Sequence, residues 1–176
     1  MLFTELFNSV QRFINERLFK TQKEGDPTDF DAIIEEYGDM VYRIALSHTL
    51  DRQYSEDVFQ EVFLKLFKNQ HKIKDEQHLK HWLIRTAINM SISHNRRVKQ
   101  VESNIDECAD YEDEASFREL KLITEELPDK FRSVILLCLF EGYTEKEAAK
   151  ILHIREGTIK SRLYRARQLL KKALEE

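Results

Sequence analysis

The chain has 176 residues, 41% apolar and 34% charged, with a net charge of −4. That balance describes a soluble globular protein. No apolar run approaches the roughly 20 residues of a membrane span, and the N-terminus lacks the pattern of a secretion signal, so the expectation is a cytoplasmic protein with no stable membrane insertion. Four glycines and two prolines are too few for a sheet with tight hairpins, and the abundant Leu, Glu, Lys and Ala read as all-α. Cys108 and Cys138 make no disulfide framework.

Residues 1–20 place Leu2, Phe3, Leu6, Phe7, Val10, Phe13 and Ile14 at helical spacing, one apolar stripe. Gly25 and Pro27 then stop a helix, and Thr28 or Asp29 can cap the next. From Phe30 a stripe runs through Ile33, Ile34, Tyr37, Val41, Ile44 and Ala45. A second holds Val58, Phe59, Val62, Phe63, Leu66 and Phe67, with Ser55 as its expected N-cap. A third holds Leu79, Trp82, Leu83, Thr86 and Met90 and ends in the basic run Arg96–Lys99. Three stripes that need partners predict a three-helix core. Trp82 is assigned to that core, because Trp is heavily buried on average.

From Val101 to Phe117 there are seven acids and no base. Like charge without apolar periodicity predicts a flexible linker. The expected organisation is an N-terminal amphipathic extension at 1–27, a first helical domain at 28–100, an acidic linker at 101–116 and a second helical domain at 117–176.

The last domain carries the most specific pattern. Pro128 suits a first helical turn, the apolar run Val134–Phe140 follows, and Gly142 is placed to end it. Thr144 and Glu147 form a capping-box pair. Ala148 is small where helices meet, and Ile151 and Leu152 extend the stripe. After a short turn, a second helix puts Ile159, Leu163, Ala166 and Leu170 on one face. At about 100° per residue, Ser161 and Arg165 fall opposite Ile159, flanked by Gly157, Thr158 and Tyr164, with Lys160 and Arg162 at the edges. From Arg155 to Lys172 there are seven Lys/Arg against one acid. Hydroxyls and Arg can read base edges, and the flanking cations can hold phosphates. A cationic side alone also fits an ordinary solvated helix; the capped helix and short turn before it favour a helix-turn-helix that binds DNA.

This block, from Leu127 to Lys172, resembles the DNA-binding domain that ends bacterial sigma-70-family factors, in particular the extracytoplasmic-function (ECF) group. Two positions depart from the family pattern. His153 stands where the turn usually has Gly, and His accepts left-handed geometry better than β-branched residues do. Arg155 stands where the second helix usually begins with a Ser cap, a loss of typically ~1 kcal/mol aggravated by a cation near the helix N-terminus. Arg155 is therefore expected to serve a phosphate or base.

The stretch from Ser55 to Asn69 resembles the family's polymerase-binding helix. Asp57, Gln60 and Glu61 match its polar core and, at i, i+3 and i+4, share one face. The resemblance implies docking on the clamp helices of the largest subunit of core RNA polymerase. Residues His78–Lys99 resemble the segment that opens the −10 promoter element. Arg85, Ala87 and Asn89 match an Arg-x-Ala-x-Asn pattern, in which Asn89 helps form a pocket for an unstacked base; an amide both donates and accepts on a base edge. Arg96, Arg97 and Lys99 would contact backbone phosphates. The loop His71–His78 would complete the pocket.

The resemblance covers residues 28–175. It implies an ECF sigma factor whose first domain binds polymerase and melts the −10 element, whose second binds the −35 duplex, whose acidic linker lies in a basic polymerase channel, and whose partners include an anti-sigma factor. Two alternatives are a stand-alone helix-turn-helix regulator, which predicts dimers on palindromic sites, and a helical interaction module without a nucleic-acid role. His78 and His81, with His71 nearby, lack the further ligands of a closed zinc site. No Gly-rich phosphate loop or nucleophile–base set is present, so no cofactor, metal or enzymatic activity is expected.

Overall fold

The computed structural model of the chain describes residues 30–101 and 127–175; the N-terminal stripe, its break and the acidic linker with Cys108 lie outside them. Among the described residues the regular structure is helical.

Helix α1 (Phe30–Thr49) follows its apolar stripe and buries Ile34, Tyr37, Val41 and Ile44. It ends at Leu50, whose φ of 56° reverses the chain while its N–H still reaches Leu46 O at 2.9 Å. Helix α2 (Arg52–Asn69) begins a turn earlier than its sequence suggests: the cap is Asp51, whose carboxylate accepts from Tyr54 N at 2.8 Å. Ser55, the expected cap, is buried within the helix and bonds back to Asp51 O and Thr49 Oγ1. Asp is as good a cap as Ser, and the earlier site adds one hydrogen-bonded turn. A 3-10 turn (Gln70–Lys72) leads to Asp75, which accepts from His78 N at 2.7 Å and starts α3 (Glu76–Val101).

These helices pack on one another as a three-helix unit. Its centre is aromatic: Phe59 meets Phe63 at 4.8 Å and Tyr42 at 6.3 Å between ring centroids. Val58, Phe59, Val62 and Phe63 come from α2, and Leu83, Ile84 and Ala87 from α3. Trp82 packs half-buried against this core, as its assignment requires.

In the second half Pro128 is itself the N-cap, one residue ahead of the first turn of α4 (Asp129–Ile135). The helix widens into a π-helical turn (Leu136–Phe140). Gly142, at φ +71°, stops it; a Cβ there would meet nothing within 4 Å, so backbone conformation alone calls for glycine. The apolar run does not stay inside throughout: Leu136 and Leu137 are buried, Cys138 is half-buried, and Leu139 and Phe140 are exposed. Helix α5 (Glu145–Leu152) opens with the complete Thr144–Glu147 capping box. Helix α6 (Glu156–Glu175) buries Ile159, Leu163 and Ala166 against α4 and α5.

The two halves also touch. Helix α1 packs on α4 and α3 on α5, so the buried side chains form one continuous cluster.

Candidate nucleic-acid interface

The turn between α5 and α6 is made by a left-handed residue that is not glycine. His153 has φ 52° and ψ 42°, and Ile154 N returns to Ala149 O at 3.0 Å. The capping box fixes the other end of α5. Thr144 N donates to Glu147 at 2.9 Å and the Thr144 hydroxyl donates to the same oxygen at 2.7 Å, which holds the Glu147 carboxyl below its usual range. Both ends of α5 are thus set by local chemistry, and they set where α6 begins.

Arg155 occupies the position before α6, and its carbonyl accepts from Thr158 N and Ile159 N. Its side chain, with Gly157, Ser161 and Arg165, is exposed; Thr158 and Arg162 are half-buried. A Cβ at Gly157 would meet nothing within 4 Å, so the α6 N-terminus presents open backbone. Tyr164, 66% exposed, joins this outer face. Lys160 differs: its ammonium lies 2.9 Å from Glu156 and 3.7 Å from Glu145. Those carboxylates raise the Lys160 pKa, and Lys160 lowers that of Glu156. A phosphate at Lys160 must compete with two resident acids.

On α3, Asn89, Arg96 and Arg97 are exposed; the side chain of Lys99 lies outside the described residues. Arg85 does not face open solvent alone. Its guanidinium contacts the His153 ring, which ties the Arg85–Asn89 stretch to the turn before α6. On α2, Asp57 and Glu61 are exposed and Gln60 is half-buried, one polar strip opposite the buried Val58, Phe59 and Val62. The expected site residues therefore lie on three helices, and only α3 and the α5–α6 turn are joined by a direct contact.

Sequence reasoning missed the polar groups between the halves. His48 on α1 is fully buried; its Nε2 lies 2.8 Å from Ser133 Oγ on α4. Burial holds the His48 pKa at about 4, with the backbone bond to Ile44 opposing and Arg132 reinforcing the shift. Partners 85 residues apart leave no periodic signal. Among the described residues no group of three His, Cys, Asp or Glu could hold a metal, and no helix is long and apolar enough to cross a membrane.

A capped first helix, a left-handed turn and a second helix with a cationic outer face, set beside a three-helix unit, define a two-part α-helical protein of the helix-turn-helix class. Residues 33–101 match the family described as Sigma-70 region 2, and residues 117–170 match Sigma-70, region 4. The ECF RNA polymerase sigma factor SigM of Bacillus subtilis is 33% identical over 151 residues, covering 80% of this chain and 92% of SigM. The ECF sigma factor SigW of the same organism is 27% identical over 187 residues, covering 95% and 100%. The sigma factor RpoE of Bartonella quintana, solved in complex with the anti-sigma factor NepR, superposes with a TM-score of 0.67 and 26% identity, covering 84% of this chain and 97% of RpoE. The chain belongs to the sigma-70 family, in its ECF group, and its role is that of a sigma factor in transcription initiation.

Proposed function

We propose that this chain binds core RNA polymerase and directs it to promoters through −10 melting and −35 duplex recognition. The observation that carries the reading is the outer face of α6: Arg155, Gly157, Ser161 and Arg165 are exposed together behind a correctly capped turn. The N-terminal half of α6 enters the −35 major groove, where Ser161, Thr158 and Arg165 read base edges and Arg155, Lys160 and Arg162 hold phosphates. Asn89 takes an unstacked −10 base, and Arg96, Arg97 and Lys99 track the backbone. Asp57, Gln60 and Glu61 dock on the polymerase clamp helices. Residues 28–100 and 117–176 act as two modules on polymerase, with 101–116 in its basic channel. Catalysis belongs to the polymerase, and the chain works in the cytoplasm.

Affinity for free duplex is low because the net charge is −4; polymerase raises the effective concentration of each module at its site. An anti-sigma factor is a further expected partner, in keeping with the inhibitor bound to the similar RpoE. The test is run-off transcription with purified core polymerase and a promoter library. Discrete start sites that depend on added chain support the reading; identical products with and without it overturn it. Arg155→Ser adds a finer measurement: weaker promoter binding is expected, and unchanged binding would remove Arg155 from the contact set.

A further inference from the structure

The surface between the two halves is built around matched polar groups. His48 is 0% exposed and Arg132 is 7% exposed. Besides reaching Ser133, the His48 ring places Nδ1 3.0 Å from both Ile44 O and Ser47 Oγ. The backbone carbonyl of His48 accepts twice: from Arg132 Nη1 on α4 at 2.8 Å and from Asn95 Nδ2 on α3 at 2.6 Å. Arg132 Nη2 donates to Leu127 O at 2.9 Å. One carbonyl thus collects a donor from each half. At the rim, Arg43 Nε meets Glu141 at 3.1 Å, with the Glu141 side chain only 10% exposed. Buried networks satisfied in this way specify one arrangement, because a displaced partner leaves a costly unpaired group.

That arrangement conflicts with simultaneous reading of two promoter elements. Elements near −10 and −35 lie about 25 base pairs apart, roughly 85 Å at 3.4 Å per pair. A compact folded chain of this length has a radius of gyration of about 16 Å and is roughly 40 Å across. With α1 against α4 and α3 against α5, the outer face of α6 and the Asn89 face of α3 cannot reach both elements. The contact between Arg85 and His153 also occupies part of the −10 stretch with the turn that precedes the reading helix.

We propose that the His48–Ser133–Arg132 cluster is an autoinhibitory lock, which holds the free chain closed and must open before both DNA-reading faces can engage one promoter. The inference rests on the promoter reading above. Its polar character suits a reversible contact. When the halves separate, water can replace the partners of His48, Arg132 and Glu141, whereas a purely apolar contact of the same extent would bare a patch prone to association. Polymerase, by holding each half at its own site, supplies the force that opens it.

The test uses the full chain with Arg43→Glu, with Glu141→Lys, and with both, so that each single change places like charges across the rim and the pair restores attraction. Ser133→Ala removes the internal link as a separate route. X-ray scattering reads the size of the free chain, fluorescence anisotropy its affinity for a promoter duplex without polymerase, and run-off transcription its activity with saturating core enzyme. Each single reversal and Ser133→Ala are expected to enlarge the free chain and tighten duplex binding about fivefold. The double swap should return both to wild-type values, and run-off should stay unchanged in all. Single variants that keep wild-type size and duplex affinity would overturn the lock. Size is read without DNA or polymerase, so it decides the lock even if the wild-type chain directs no transcription, a result that would instead overturn the promoter reading.

Discussion

Arg132 and Arg165 are the same residue type in the same half of the molecule, set in opposite surroundings. The Arg132 side chain is 8% exposed and donates to His48 O and Leu127 O, with Asp129 at 3.6 Å. Arg165 stands on the open face of α6. The first has given up water for fixed acceptors, so its removal strands two carbonyls. The second remains hydrated and keeps its hydrogen-bonding capacity for a ligand. Burial separates structural from recognition arginines here; residue type does not.

The comparison can be tested in four steps of decreasing size. Arg132→Ala should destabilise the chain by about 3 kcal/mol, as breaking buried charged hydrogen bonds does, measured as a fall in denaturation midpoint. Arg165→Ala should leave that midpoint within about 0.5 kcal/mol while weakening sequence-specific promoter binding by about 1–3 kcal/mol, measured with holoenzyme. An Arg165 variant that unfolds the chain but spares promoter discrimination would reverse the assignment.

The third step is acidification. His48 is held at about 4 in the closed chain, against roughly 6.5 for a hydrated histidine. The groups facing it are Arg132, which lowers its pKa, and Asp129, which raises it, with the neutral Ser133 and Asn95 beside them. A depressed pKa means the closed state prefers neutral histidine. Its contribution is complete above about pH 6.5 and is lost as pH falls toward 4. Between pH 7 and 5.5 the open-to-closed ratio should rise about eightfold by linkage, read by scattering. His48→Gln should flatten that profile, apart from a residual from His81, whose pKa is also lowered by burial and by Arg85.

The smallest step concerns the helix-turn-helix itself. Thr144→Ala removes both side-chain hydrogen bonds of the capping box and should cost about 1 kcal/mol, seen in thermal melts. Transcription with saturating polymerase should change little, because α5 is still packed on α6.

Much of the chain was legible before any coordinates. The stripes of α1, α2 and α3 follow helical spacing, and a 3.6-residue period leaves a record in order along the chain. The Thr144–Glu147 cap, the Gly142 stop and the left-handed His153 are local, and each came out at its expected position. Local rules were less exact where two candidates competed. Asp51 caps α2 in place of Ser55, and Pro128 sits one residue before the helix it was expected to begin. The run Val134–Phe140 reads as uniformly apolar, yet the π-helical turn leaves Leu139 and Phe140 outside.

The sequence by itself determined the helical class, the order of the stripes, the helix-turn-helix with its cationic outer face, and the family. Each of these depends on residues within a few turns of one another, where period, caps and charge sign act directly. Only the tertiary structure decided that His48, Ser133 and Arg132 meet, that Arg85 reaches His153, and that Arg43 pairs with Glu141. Those partners lie 68 to 98 residues apart. Their encounter is set by how whole helices pack, a global balance of burial and hydrogen-bond satisfaction that no short window of residues contains.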